Sequence, residues 1–277
     1  MGILLKWKRP SSEANYDTVR VFRSDSETGT FVLIHSQTIL DNSYYDPEGK
    51  NSYWYKIAFY DSVLDISSNS SSATQGSERI GYASVDDVRS LTNIASNQVN
   101  DTDLAIMIEF AAGKLNSDLN HRVEREIIEE ISEVKLNTID GTNLTFYTKN
   151  YPLGDSNNDF SVTPSDIQVY SIDDEGNENL LVVTQVTAST GQFKLSSAPN
   201  DVKIYVTYQH TDKISVDPPH SLVKLACIQL ASSLAYSKIN LGKAPRFKQG
   251  PLTVFRDTTA HKQYLEMYHD TLQEIST

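Results

Sequence analysis

The 277 residues are enough for two or three domains, and 39% hydrophobic with 22% charged residues is the balance of a soluble globular protein. A net charge of −12 argues against a protein whose main task is gripping nucleic-acid phosphates. The single cysteine, Cys227, excludes an intrachain disulfide, and no apolar run approaches membrane-spanning length.

The opening MGILLKWKRP is too short in apolar residues for a signal peptide, so the chain is expected to be made and kept in a cytosol unless it leaves inside a particle. Residues 1–76 then read as an all-β domain with strands near 3–8, 18–23, 31–37, 52–60 and 67–74. In the fourth, Tyr53, Tyr55, Ile57 and Phe59 alternate with Trp54, Lys56, Ala58 and Tyr60, the period of a pleated strand. Turn residues separate the strands, as at Asp46 to Gly49. Short strands at this spacing predict a sandwich.

Residues 77–83 are a short linker. Ser84 followed by Asp87 fits a capping box, and Asn100 with Asp101 fits a second helix start. Leu104, Ile108, Ala111, Leu115, Leu119 and Val123 recur at steps of three and four, which predicts a helix over 102–125. Ile106, Met107 and Phe110 add apolar surface off that stripe. Such a helix must be covered on most sides, as the centre of a bundle or between subunits. Glu126, Glu129, Glu130 and Glu133 read as a solvated face late in this helix.

Residues 134–212 return to β structure, with strands near 144–148, 167–172, 180–186, 191–195 and 203–209. From 213 the chain is helical again. Pro218 and Pro219 stand where a helix would open. Val223, Ala226, Cys227, Leu230, Ala231, Leu234 and Ala235 mix small and large apolar groups, which lets helices approach closely. A loop bearing Gly242, Pro245, Gly250 and Pro251 precedes a last helix with Tyr264, Leu265, Tyr268, Leu272 and Ile275 on one stripe. The expected fold is therefore α+β and multidomain: an N-terminal β-sandwich over 1–76, then a helical bundle from 84–133 and 213–277 that carries an inserted β-domain at 134–212.

Charge is uneven. Residues 150–193 hold seven acidic side chains and no Lys or Arg, whereas 238–256 hold five basic ones and no acid. Each run is either a solvated face or an electrostatic docking surface.

The usual chemical signatures are absent: no Walker A loop, no Gly-x-Gly-x-x-Gly, no Gly-x-Ser-x-Gly, no His-Glu-x-x-His. The six histidines are scattered, and Cys227 reads as a small buried residue. One stretch fits metal spacing. In GDSNNDFSVTPSD, Asp155, Asn157, Asp159, Ser161 and Asp166 fall at positions 1, 3, 5, 7 and 12 of a calcium loop and resemble a dockerin or EF-hand. Phe160 stands where that pattern needs glycine for a sharp turn, and the flanks read as strand. A polar β-loop rich in Asp and Asn is the expectation. No catalytic, cofactor-binding or metal-ligating residue is assigned.

Residues 1–76 resemble a fibronectin type III domain, on LKWKRP near the start, YDTVRVFRS at 16–24, TGTFVLI at 28–34, YYD at 44–46 and YWYKIAFYDS at 53–62. On this resemblance the Trp-bearing strand is the family's second and starts almost at Met1, so the family's first strand is expected to be absent. That leaves a sheet edge for a neighbouring subunit or the second domain to cover. The run SVDDVRSLTN, then VNDTDLAIMIEFAAGKLN, is similar to the helical pair of head–tail connector proteins of tailed bacteriophages, also called adaptor or head-completion proteins. Helices near 219–239 and 258–275 would complete that bundle. The β insertion looks like modules found in phage virion proteins.

The resemblance implies a structural virion protein and not an enzyme. It implies a homo-oligomeric ring of about twelve copies, a dodecamer, in the neck between capsid and tail. Portal protein and a tail-side neck or terminator protein would be the partners. DNA would pass the channel without specific binding, and no membrane or cofactor is implied. The fibronectin-like domain would decorate the outside, and the basic run at 238–256 would be the docking contact. A cell-surface adhesion or carbohydrate-binding module without catalysis is the alternative.

Overall fold

The computed structural model describes residues 2–9, 16–76, 81–128, 137–200, 202–211, 214–217, 219–241 and 258–276, with the backbone of 246–249 and 252–255. It is a mixed α+β protein with several antiparallel sheets and four α-helices among the described residues. The chain divides into two compact units, residues 1–80 with 84–108 and residues 81–83 with 109–277.

The first unit holds β1 (Ile3–Lys6), β2 (Thr18–Ser24), β3 (Val32–Thr38), β4 (Ser43–Asp46), β5 (Trp54–Asp61), β6 (Ile66–Ser67) and β7 (Thr74–Gln75). β1 pairs with β4 alone, and the others form a sheet in the order β3-β2-β5-β6, with β7 also on β5. Ile3 from the small sheet shares one buried cluster with Val21 and Tyr55 from the large one. Asp46 closes that core: its carboxylate accepts from Arg23 Nη1 and from the Tyr55 hydroxyl, each at 2.9 Å. The strand expected over 67–74 is broken. Between β6 and β7 the hydroxyls of Ser68 and Ser71 take the N–H groups of Phe59 and Ile57, so side chains stand in for part of the ladder.

The capping box at Ser84 forms as expected: Asp87 N donates to Ser84 Oγ at 3.2 Å, and Ser84 N donates to Asp87 Oδ2 at 2.9 Å. It starts α1 (Val85–Thr92), which stops at Asn93 in the left-handed conformation, φ 55°. Arg89 then fixes the loop. It donates to the carbonyls of Ile94 and Val99 at 2.6 and 2.9 Å and pairs with Asp101 at the start of α2 (Asp101–Leu119). One guanidinium thereby sets how a short helix hands over to a long one. Asn100 caps α2 through the Asp103 N–H at 2.8 Å. Thr102, the second residue of α2, takes the N–H of Tyr45 at 3.0 Å, so the outer edge of β4 is covered there by the start of α2.

Leu104, Ala105, Ile108, Ala111, Ala112 and Leu115 are completely buried along α2. The helix ends at Leu119, not near 125. The chain continues as β8 (Asn120–Ile127), so Val123 and Glu126 are strand residues. Val123 lies four residues after Leu119 and four before Ile127, so it fits both a helical and a strand period. The ladder with a distant strand decides between them. Glu129, Glu130 and Glu133 lie outside the described residues.

The second unit continues with β9 (Thr145–Tyr147), β10 (Gln168–Ile172), β11 (Glu178–Leu181), β12 (Val183–Thr187), β13 (Gln192–Leu195) and β14 (Lys203–Thr211). They make two antiparallel sheets, β11-β10-β14-β8 and β12-β13-β9. The single strand expected at 180–186 is two strands in different sheets, and Val182 at the crossing is exposed. Phe146, Phe193, Leu195, Ile204, Val206 and Val169 form the core between them, with the Phe146 and Phe193 rings 5.8 Å apart.

α3 (Ser221–Asn240) is capped by His220, whose Nδ1 accepts from Leu222 N at 3.3 Å. The helix therefore opens after Pro219 and not on it. Val223, Ala226, Cys227 and Ala231 are fully buried, and so is Ser232, which returns its hydroxyl to Ile228 O at 2.6 Å. The stretch read as a loop contains a hairpin, β15 (Arg246–Gln249) antiparallel to β16 (Leu252–Phe255). α4 (Ala260–Ser276) packs on α3. Tyr236 and Tyr264 stack at 5.5 Å, Thr271 donates to the buried Gln229 side chain at 2.9 Å, and Tyr268 donates to Asp118 of α2 at 2.6 Å. Leu265 is 38% exposed, off the buried stripe that Tyr268 and Ile275 define.

Candidate functional site

The sequence pointed to residues 154–166, and the fold builds them into a compact loop between the end of the Leu153–His210 bridge and β10. Carboxylate oxygens of Asp155, Asp159 and Asp166 lie within 4.8 Å of one another. Asp155 and Asp166 are buried and Asp159 is exposed, so the acidic run at 150–193 is not uniformly a solvated face.

The donors around these groups decide what the loop can do. Asp155 accepts from the N–H groups of Asn157, Asn158 and Phe160 at 3.2, 2.8 and 2.7 Å, and from Asn116 Nδ2 at 3.1 Å. Asp166 accepts from Ser156 N and Oγ, Asn157 N, and Thr163 N and Oγ1, all between 2.8 and 3.2 Å. An ionised carboxylate offers about four lone-pair sites, and both are spent on the chain's own donors. Ser161, the seventh loop position, turns its hydroxyl to Asp217 at 3.3 Å. Asn157 points its amide nitrogen at Asp159. Burial, the largest influence, and the nearby Asp166 charge push the Asp155 carboxyl up from its ordinary value, against the pull of the Phe160 N–H.

Phe160 does enter the sharp turn, at φ 63°. Its ring is 7% exposed and meets Tyr82 edge-on at 5.7 Å. A left-handed non-glycine residue costs about 1–2 kcal/mol, and burying an aromatic side chain returns about 1.5–3 kcal/mol. The turn is thus held by packing where the calcium pattern would use glycine. Tyr82 in turn donates its hydroxyl to Asn116, the residue that also donates to Asp155 and Asn158.

A calcium site with Kd near about 10 µM would add about 2.7 kcal/mol at 1 mM calcium. With the acceptors already saturated, the melting temperature is expected to stay unchanged between excess EDTA and millimolar calcium. A clear rise with calcium would show that the loop opens its carboxylates to the ion.

The other sequence candidates separate. Glu126 accepts the Tyr208 hydroxyl and the Lys149 N–H, and burial together with that contact pushes Tyr208 up to about 12. Cys227 is buried in α3. His35 stacks on Tyr44 at 3.9 Å. One arrangement escaped sequence reasoning: His121 on β8 and His210 on β14 are direct ladder partners with ring centres 5.5 Å apart. Their meeting depends on strand register, for which the sequence carries no local signal. Of the five basic residues at 238–256, only Lys238 has its side chain among those described. No helix among the described residues is long and apolar enough to cross a membrane.

No protein-family model, no curated protein and no solved structure matches this chain.

Proposed function

We propose that this chain is a non-catalytic structural subunit of a tailed-phage neck, forming a ring that joins portal to tail and extends the DNA channel. The observation that carries the reading is the character of α2. Its inner positions are completely buried, yet Phe110 at its middle is 69% exposed. Gly113, on the same face, has nothing within 4 Å of where a Cβ would sit. A bare aromatic in the centre of a packed helix suits lateral contact with another copy. A ring is a closed, heterologous assembly, so a second, different face of each copy must receive it. Portal protein and a tail-side neck protein are the proposed partners, and the virion neck the proposed location. The net charge of −12 suits a channel that passes DNA without holding it.

In this reading residues 1–76 are a fibronectin type III-like sandwich that decorates the ring. The pairing of β1 with β4 and the order β3-β2-β5-β6 support it, as does the core shared by Ile3, Val21 and Tyr55. The helices form the connector bundle and β8 to β14 its insertion. Sedimentation of the wild-type chain beside Phe110→Glu tests the proposal, which expects assembly in the first and none in the second.

One observation favours the alternative, a binding module. The turn after β5 presents Val63 and Leu64 at 86% and 61% exposure, held rigidly because Asp61 accepts both their N–H groups. A protruding apolar tip of this kind suits insertion into a partner.

A further inference from the structure

We infer that His121 and His210 form a two-histidine site for a divalent transition-metal ion such as zinc. The two residues are direct partners across the ladder of β8 and β14. Partners in an antiparallel pair share a face of the sheet, with Cβ atoms about 4.5–5.5 Å apart. Their ring centres stand 5.5 Å apart, inclined at 41° and so not stacked face to face. An ion about 2.0–2.1 Å from one nitrogen of each ring, at a near-tetrahedral angle, sets the two ring centres roughly 5–6 Å apart. The observed spacing matches. Histidine χ2 is a broad torsion, so a turn of each ring aims a nitrogen into the gap.

The backbone holds both ligands in place. The pairs Asn120 with Thr211 and Arg122 with Gln209 flank the histidines in the ladder. On the far side of β14, His210 bridges to Leu153, Gly154 N donates to Gln209 O at 2.8 Å, and Thr211 N donates to Pro152 O at 2.9 Å. His210 therefore sits in backbone paired on both edges, and ligands carried on strands are placed more precisely than ligands on loops. His121 is exposed and His210 half-buried, so an ion reaches the pair from solvent. Among the described residues the His210 ring touches His121 and Tyr208 and makes no hydrogen bond, which leaves its nitrogens for a ligand. Imidazole suits zinc, copper and nickel, whereas calcium and magnesium take oxygen ligands. No third His, Cys, Asp or Glu joins the pair among the described residues, so water fills the other positions of an open site. His121 is the second residue of β8, directly after α2, so an ion here would tie the point where helix becomes strand to β14. The inference does not depend on ring assembly.

Titration of the full chain with zinc chloride in a non-chelating buffer tests it, followed through the ¹H–¹⁵N spectra of the histidine rings. Saturable shifts are expected at His121 and His210 and not at the other four histidines, with no shift from calcium at the same concentration. His121→Asn and His210→Asn are each expected to weaken zinc binding by about tenfold or more, because one imidazole alone loses the effective concentration that the ladder gives the second. His121 is exposed, so His121→Asn is expected to melt with the wild type in EDTA and to lose only the rise in melting temperature that zinc gives. The inference is overturned if zinc gives no saturable shift at the pair, if all six histidines shift alike, or if both variants bind zinc as the wild type does.

Discussion

Asp155→Ala is expected to cost about 3–5 kcal/mol of folding stability at neutral pH, because it strands the buried Phe160 N–H and the buried Asn116 amide and removes the acceptor that orders two further N–H groups. The N–H groups of Asn157, Asn158 and Phe160 and the amide of Asn116 all point at this carboxylate. Phe160 also loses the contact that holds its left-handed backbone in place. Asp155→Asn keeps the shape but sets an NH₂ group against N–H donors, and should cost about 1–3 kcal/mol. The pH dependence has a definite sign. The folded-state value is raised above its ordinary 3.8, so this group's titration contributes stability that is fully present below that value and is lost as pH rises through the raised one. The gap between wild type and Asp155→Ala should therefore be wider near about pH 4 than at neutrality. Urea unfolding of both proteins at the two pH values measures it. A gap that widens with rising pH would mean that the loop stabilises the ion instead.

Phe110→Glu is expected to leave the fold intact and abolish self-association. The residue is 69% exposed, so its replacement removes little intramolecular packing. In an interface the same ring would contribute about 1.5–3 kcal/mol, and a carboxylate there would add a desolvation cost. Each contact should then weaken by roughly a hundredfold or more. A closed ring repeats one contact around its circle, so the loss applies at every joint. Thermal melting within about 2 °C of wild type, with a shift to monomer in sedimentation, is the expected pair of results. An unchanged assembly would place the interface elsewhere.

The elements most legible in the sequence were those with local chemistry behind them. Ser84 and Asp87 form the box that their spacing announces, and Asn100 caps the helix it precedes. The strands with clear punctuation stand within a few residues of expectation, as β2 and β14 do. What failed was decided at long range. Nothing local separates a helix through Val123 from a strand, because the ladder to β14 supplies the difference. Val182 gives no hint that the two halves of one apolar run join different sheets. Phe160 looked unfit for its turn because its packing partner, Tyr82, lies far away in sequence. Arg89 carried no motif, yet it organises the loop between α1 and α2 through carbonyls that only the folded backbone brings within reach. The 154–166 loop was legible as a set of residues but not as a site, since the donors that saturate its carboxylates come largely from the backbone and from Asn116.

Native mass of the purified wild-type chain, alone and mixed with portal protein, measures ring assembly. A single closed species of about a dozen copies, formed alone or on the portal, is expected. A strict monomer under both conditions, over a wide range of concentration, would contradict it.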